Sequence, residues 1–300
     1  MSQQRLEIGA IPNFIFRVAP FFLSFLLFQT PLFMVISPLP LFILTLKNRA
    51  WVSVAALFSN LSMLSTLNDP KSVWLAGFFW LAVGILFPFL IRKTGKIQQS
   101  AVISYLFLIQ ILLLSLVVLG RKAGQGPVDY VRSEVFQIMD QLILNPQGTV
   151  KDLIQNEGRD GLYRKIMTEL PSGILISLLM SLWVNLLFAS QFVRGFLSKT
   201  FWSRYKNPEW LVWPTLASAA LFAFAEKAPH LIGLNGFKVF MVLYGLQGLS
   251  ILSFFLNRAG IQGFFRTAIY AIALFIASPV VVSAGFFDLW FDFRRKFGQI

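Results

Sequence analysis

The stretch LNGFKVFMVLYGLQGLSILSFF, residues 234–255, decides how this chain folds. It is apolar and long enough to cross a bilayer, since about 20 residues suffice for a transmembrane helix. Tyr244, Gln247 and Ser250 lie on one side of such a helix, because successive residues are rotated by about 100°. Polar side chains in hydrocarbon need partners inside the protein. The stretch therefore predicts a helix that lies within a bundle.

Small residues accompany this polar line. Gly245 and Gly248 form a smooth strip beside it, and Ala219 and Ala223 belong to a preceding apolar segment rich in small residues, residues 210–224. Smooth strips let helices approach each other closely in a membrane. The pattern predicts that these four residues take part in helix packing.

Two interpretations of the buried polar residues stay open. In the first, their side chains bond neighbouring helices and only stabilise the bundle. In the second, they line a cavity for a small ligand. The candidate ligand-binding residues are Asn185, Asn235, Tyr244, Gln247 and Ser250.

The composition places the chain among membrane proteins. Hydrophobic residues make up 56% of it and charged residues only 13%, about half the soluble average. The apolar residues occur in long runs, which predict helices, and not in the alternation that a transmembrane barrel requires. We therefore expect an all-α, polytopic transmembrane helix bundle of about eight or nine spans.

Charge and residue usage exclude several functions. Lys and Arg outnumber Asp and Glu by 26 to 13, but they gather in short segments between apolar runs, which the positive-inside rule explains better than nucleic-acid binding. The absence of cysteine excludes disulfides, iron–sulfur clusters and thiol catalysis. His230 is the single histidine, and no phosphate-binding loop is present. We expect no metal, no cofactor, no nucleic acid and no enzymatic activity.

The chain divides into three parts. Residues 1–120 form an N-terminal transmembrane half, 121–170 an extramembrane helical hairpin, and 171–300 a C-terminal transmembrane half with an interfacial tail. The first helix of the hairpin is amphipathic, with apolar residues at helical spacing. These residues are Val131, Val135, Ile138 and Leu142.

Basic residues predict the orientation in the membrane. Lys47, Lys93, Arg204 and Arg258 mark cytoplasmic ends, and the hairpin then lies on the opposite face. One further crossing would put the basic tail outside, against the rule. Either the last apolar run, residues 265–287, does not fully cross, or the tail is an exception.

The tail holds a cluster of charges. Asp288 and Asp292 are four residues apart and would share a helix face, with Arg294 and Arg295 close behind them. An interfacial charge network is one interpretation, in which Asp292 lies near Arg295 or the following lysine. A role for the two carboxylates in proton or ion movement is the alternative.

Six segments together resemble the YybS-like predicted membrane proteins, a bacterial family known as domain of unknown function 2232. The segments are LPLFILTLKNR (39–49), YRKIMTELPSGILI (163–176), WVNLLFA (183–189), RYKNPEWLVW (204–213), LNGFKVFMVLYGLQGLSIL (234–252) and GFFDLWFDFRR (285–295). The resemblance marks Pro208, Trp210, Asn235, Gln247, Gly248, Asp288 and Arg294 as family positions. It implies a multi-pass protein of the bacterial inner membrane. It also implies a distant likeness to the substrate-binding components of energy-coupling-factor transporters.

We therefore expect a transporter-like membrane component that binds a small ligand in its second half. The alternative is a non-transporting scaffold or regulator that docks protein partners. The expected partners are the lipid bilayer and, in addition, other membrane proteins or a coupling ATPase complex.

Overall fold

The computed structural model describes residues 18–48, 50–144, 149–198 and 200–296, without the side chains of residues 142–144 and 149–157. These residues form helices joined by short connections, with no β-strand among them, which confirms the predicted all-α fold. They pack as two units, of which the first contains Met1–Met167 and Ser177–Phe196 and the second Thr168–Ile176 and Leu197–Ile300.

Unit 1 contains most of the helices of the N-terminal part. They are α1 (Leu23–Phe28), α2 (Leu39–Lys47), α3 (Ala50–Ser65), α4 (Pro70–Thr94), α5 (Ile97–Lys122), α6 (Pro127–Leu144) and α7 (Thr149–Phe192), the last of which also contributes residues 168–176 to unit 2. Helix α7 is kinked at Gly158, whose φ of 69° and ψ of 170° are not helical, and it continues through Pro171, where the sequence predicts the C-terminal half to begin.

The core of unit 1 surrounds Trp80, whose side chain is completely buried and donates from Nε1 to Ser37 Oγ at 2.9 Å. Leu41, Leu57 and Leu64 lie in the same cluster. Trp80–Leu86 widens to a π-helical turn inside α4. A Cβ atom at Gly84 would lie 2.9 Å from Leu41 Cβ, so only glycine lets α2 approach this turn.

Asn60 ties the proline-broken start of the chain to α3. Its Nδ2 donates to the carbonyls of Pro20 and Ala56, both at 2.7 Å, and its Oδ1 accepts the Phe25 N–H at 2.8 Å. One buried amide thereby satisfies backbone groups that a broken helix would leave without partners in hydrocarbon.

Helix α6 is covered on two sides. Lys71 Nζ of α4 donates to Tyr130 and Glu134, both at 3.0 Å, and Phe136 stacks on Tyr163 of α7 at 3.9 Å. The buried apolar residues are Tyr130, Val135 and Met139, whereas Ile138, on the predicted apolar face, is 55% exposed. The single apolar stripe predicted from the sequence is wrong at that residue, because α6 contacts two neighbours; the side chain of Leu142 lies outside the described residues.

Unit 2 is built around the long helix that contains residues 234–255. Its helices are α8 (Phe201–Arg204), α9 (Val212–Phe224), α10 (Lys227–Arg258), α11 (Gly263–Phe275), α12 (Ser278–Phe291) and α13 (Phe293–Lys296). Helix α10 packs against α9 on one side and α12 on another.

Four helices of the described part are long and apolar enough to cross a membrane: α4, α5, α10 and the segment Gly158–Phe192 of α7. Helices α11 and α12, bent by 90° at their break, meet the same criterion as a pair. Shorter apolar segments are Met34–Lys47, Ala50–Ser65 and Glu209–Phe224. The predicted multi-pass architecture agrees with these helices, although length and composition identify four or five crossings rather than eight or nine.

Candidate functional site

A buried aspartate is the centre of the polar interior of unit 2. Asp288, at the end of α12, has no exposed surface. Its Oδ2 accepts from Gln247 Nε2 at 2.9 Å and from Arg294 Nη2 at 2.6 Å, and its Oδ1 accepts the Phe293 N–H at 3.0 Å. Burial of a carboxylate is costly unless it is paired and hydrogen-bonded, and these three donors meet that requirement.

The backbone conformation of Asp292 brings the next residues of the chain back to Asp288. Asp292 has φ 40° and ψ 63°, a left-handed conformation that aspartate tolerates better than most residues, and it ends α12. The chain therefore turns back, so that Phe293 and Arg294 reach Asp288. The spacing of the two aspartates and Arg294 in the sequence thus encodes a helix end and not a pair of carboxylates on one helix face.

Gln247 connects Asp288 to the loop before α9. Its Oε1 accepts the Asn207 backbone N–H at 2.9 Å while its Nε2 donates to Asp288, and the side chain is 2% exposed. Asn207 Nδ2 in turn donates to the Leu243 carbonyl at 2.9 Å. The amide of Gln247 is therefore engaged at both ends by the protein itself.

Arg294 holds the same loop from the other side. Its Nη1 donates to the carbonyl oxygens of Tyr205 at 2.8 Å and Ser203 at 3.4 Å, and to Ser250 Oγ at 3.2 Å. The Ser250 hydroxyl donates to the same Tyr205 carbonyl at 2.9 Å. Burial raises the pKa of Tyr205 to about 12, so its hydroxyl stays protonated and donates to Asn207 Oδ1 at 2.8 Å.

Asn235 supplies hydrogen bonds at a break in the bonding pattern of α7. Pro171 has no N–H and interrupts the helical bonding pattern, so that the Ser172 N–H and the Thr168 carbonyl are available to another partner. Asn235 Oδ1 accepts the Ser172 N–H at 2.8 Å, and its Nδ2 donates to the Thr168 carbonyl at 3.1 Å and to the Leu231 carbonyl at 2.8 Å. Nearby, Lys238 pairs with Glu169.

Asn185 belongs to unit 1, whereas the α10 residues with which the sequence grouped it belong to unit 2. It is completely buried, and its Nδ2 donates to the carbonyls of Val35 at 2.9 Å and Ser181 at 2.8 Å. Its Oδ1 has no partner among the described residues. Within unit 2 the structure does bring together Gln247 and Ser250, which share the network of Asp288 and Arg294.

The glycines of α10 and α12 permit a close contact between these two helices. A Cβ atom added at Gly248 would lie 1.9 Å from the Val281 carbonyl oxygen, and one at Gly285 would lie 1.9 Å from the Tyr244 carbonyl oxygen. At Gly245 the nearest atom would be at an ordinary 3.5 Å. Tyr244 itself is 3% exposed and packs edge-on against Phe286 at 5.0 Å.

The remaining candidate residues lie nearer the surface. Ala219 is half-buried and Ala223 is exposed; on α9 it is Ser218 that contacts Gly236 closely. Asp292 and Arg295 bond only through their backbones, from the Arg295 N–H to the Asp292 carbonyl at 2.9 Å, and neither side chain forms an ion pair with a described residue. The charge pair of the tail is therefore Asp288 with Arg294.

Sequence reasoning missed two important amides. Asn207 precedes Pro208 in the RYKNPEW segment, where an Asn–Pro pair indicates only a turn. Asn60 lies in an apolar helix with no motif around it. Each matters because of a partner about 40 residues away in sequence, and no local pattern carries that information.

The network as a whole is suited to holding three segments together. Its carboxylate, guanidinium and amide groups are engaged by the loop of residues 203–207, α10 and the end of the chain.

Among the described residues there is no group of three or more His, Cys, Asp or Glu that could hold a metal. A separate groove of about 410 Å³ in unit 1 is apolar and lies between α3 and α4, lined in part by Leu57, Val73 and Trp74.

These helices define a polytopic α-helical membrane protein. The chain matches the family described as predicted membrane protein (DUF2232) over residues 18–289 and belongs to it, which confirms the family resemblance drawn from the sequence. No curated protein and no solved structure shows significant similarity to the chain.

Proposed function

We propose that this protein is a scaffold or regulator of a bacterial cytoplasmic membrane, which docks protein partners and does not itself carry a ligand. One observation carries this choice: the α10 side chains suited to a substrate site are bonded to the protein. Gln247, Asn235 and Ser250 each bond groups on other segments. A ligand would have to break these bonds, whose loss leaves buried polar groups without partners. We propose no chemical reaction for the protein.

The surface that fits partner docking is the hairpin of α6 and the start of α7, which we place outside the bilayer. Asp140 pairs with Arg159 across it, and the link from Lys71 to Glu134 attaches it to the start of α4. Val128 and Ile138 are exposed by 60% and 55%. Exposed apolar patches rimmed by polar residues mark interaction sites, and we infer that these two side chains belong to one.

Topology follows from the same helices. We count the four long helices and the three shorter apolar segments as seven crossings, and the bent pair α11–α12 would make an eighth, the lower of the eight or nine predicted from the sequence. However, Arg266, near the start of α11, donates to Ser253 at 3.0 Å, and Arg294, after α12, to Ser250 at 3.2 Å. These serines are about 4.5 Å apart along α10, whereas a crossing spans about 30 Å. We therefore propose that α11–α12 is re-entrant and that the basic tail is cytoplasmic.

Replacement of Gln247 by leucine tests the function. If the amide is structural, Gln247→Leu lowers the thermal stability of the purified protein, and any loss of cellular function follows the lower amount of protein in the membrane. Gln247→Leu protein of normal stability and abundance without cellular function would contradict the scaffold and favour a ligand site. Gln99→Leu, at the exposed start of α5, is the matched control.

A transporter-like ligand binder is the second candidate, supported by Asn185. Its buried Oδ1 has no partner among the described residues, and such an acceptor suits a ligand hydroxyl or N–H. A screen of small nutrients by thermal shift tests this. A compound that stabilises the protein but not Asn185→Leu, together with a coupling ATPase that copurifies in fixed ratio, would favour this candidate over the scaffold.

A further inference from the structure

The network around Arg294 brings two basic segments of unit 2 together. The guanidinium bonds the carbonyl oxygens of Ser203 and Tyr205, the residues on either side of Arg204. Arg295 and Lys296 follow directly in sequence. Arg204, Arg295 and Lys296 are therefore held near one another although about 90 residues separate the two segments.

The charges of this surface are unbalanced. Arg204, Arg295 and Lys296 are exposed, and none of their side chains forms an ion pair with a residue that the structure describes. The negative charge of Asp288 is already neutralised by Arg294, and Glu209 lies 3.8 Å from Lys206. Asp292 is the remaining acid of the tail. Three exposed cations and one half-buried carboxylate leave this surface with an excess of positive charge.

Exposed aromatic rings adjoin the basic residues. Trp290 is 57% exposed and Phe291 53% exposed, and Phe291 contacts Phe293 at 5.8 Å between ring centroids. Tryptophan is enriched where the headgroup layer meets hydrocarbon, and basic side chains next to that layer attract anionic lipids. A soluble anion would interact with the cations but would gain nothing from the apolar rings. The combination of rings and cations therefore fits a lipid headgroup better than a soluble anion.

We propose that Arg204, Arg295 and Lys296 bind the phosphate of an anionic phospholipid, with Trp290 and Phe291 at the level of its glycerol and upper acyl chains. Arg294 is a positioning residue, since its side chain is turned inward to Asp288 and the loop. The site does not depend on whether the protein is a scaffold or a ligand binder. It also accounts for a basic tail that stays next to the Arg204 loop.

Native mass spectrometry of the full-length protein in detergent tests the site, with phosphatidylglycerol as the probe. Arg295→Gln/Lys296→Gln should weaken phosphatidylglycerol binding about 30-fold, because each basic residue near an anionic surface contributes on the order of 1 kcal/mol, or about five-fold in affinity. Arg204→Gln should weaken it several-fold. Binding of zwitterionic phosphatidylethanolamine should change less than about two-fold, and the thermal midpoint of each variant should stay that of the native protein, since these side chains are exposed.

The matched control is Arg121→Gln/Lys122→Gln, which removes the same two charges from the exposed end of α5. It should leave phosphatidylglycerol binding within about two-fold of native. An equal loss in both double variants would show attraction by overall charge and would overturn the site. So would unchanged binding in the tail variant, or an equal loss of phosphatidylethanolamine.

Discussion

Arg294 Nη2 lies 2.6 Å from Asp288 Oδ2, and the carboxylate of this pair is completely buried. The same guanidinium holds the loop of residues 203–205, and the same carboxylate holds Gln247 of α10. One ion pair therefore connects the end of the chain, the central helix and the loop before α9. Its removal should affect all three.

Arg294→Ala should destabilise the protein by about 3–5 kcal/mol, because it leaves the Asp288 carboxylate buried without its counter-charge. The thermal midpoint of purified protein should fall by about 6–10 °C, at roughly 2 °C per kcal/mol for a chain of this size. Asp288→Asn in the same protein should recover part of the loss by removing the charge. Arg295→Ala, which removes an exposed cation next to it, should have little effect, and a comparable loss there would show that the pair is not the cause.

Gly248→Ala should destabilise the bundle, whereas Gly245→Ala should not. The new methyl group at residue 248 would meet the Val281 carbonyl oxygen at 1.9 Å, and backbone cannot move aside as a side chain can. Overpacking typically costs about 1–3 kcal/mol. At residue 245 the nearest atom is 3.5 Å away, so the higher helix propensity of alanine, about 1 kcal/mol, is retained. Thermal midpoints compare the two variants, and equal midpoints would contradict the close approach of α10 and α12.

Asn235→Leu should lower the thermal stability of the protein more when Pro171 is present than when it is replaced. In the native sequence this change leaves the Ser172 N–H and the Thr168 carbonyl without the bonds that Asn235 supplies. Pro171→Ala lets α7 close its regular hydrogen bonds, so these groups can bond each other. A double-mutant cycle on thermal stability should therefore give a smaller loss for Asn235→Leu in the Pro171→Ala background. An additive result would mean that the amide does not repair the break.

We expect the local stability of α6 to fall at acidic pH. The hydrogen bond of Tyr130 and the ammonium of Lys71 hold the pKa of Glu134 below its ordinary value. A lowered folded-state pKa contributes stability that is present above the unfolded pKa of about 4.3 and is lost as pH falls through the folded value. The opening constant of the α6 amides, which is the observed hydrogen-exchange rate divided by the intrinsic rate at the same pH, should therefore rise below about pH 4.3 relative to its value at neutral pH. Glu134→Gln should lack this acid-dependent rise, and Glu209→Gln, an exposed acid elsewhere, should retain it.

Single cysteines in this cysteine-free chain should define the topology. We expect Ser198→Cys and Lys296→Cys to react with an impermeant maleimide from one side of the membrane, and Lys122→Cys from the other. The first two agree because Arg294 contacts Ser203 and Tyr205, which keeps the tail beside the loop of residues 203–205. Labelling of Lys296→Cys and Ser198→Cys from opposite sides would contradict the re-entrant pair α11–α12.

Local patterns predicted much of the fold. The long apolar runs predicted helices and a membrane environment, because the cost of backbone groups without partners in hydrocarbon depends on local composition. The stretch around Gln247 predicted a polar residue within a bundle, and Gln247 is 2% exposed. Family membership also followed from short segments spread along the chain.

The sequence by itself therefore determined that this chain is an all-helical membrane protein of its family, and that α10 carries buried polar residues. Only the tertiary structure decided what those residues bond. Gln247 meets an aspartate 41 residues away, Asn235 enters a helix broken by Pro171, and Asn185 belongs to a different unit. The physical reason is that hydropathy acts on each segment alone, whereas the partner of a buried hydrogen-bonding group is set by which segments pack together.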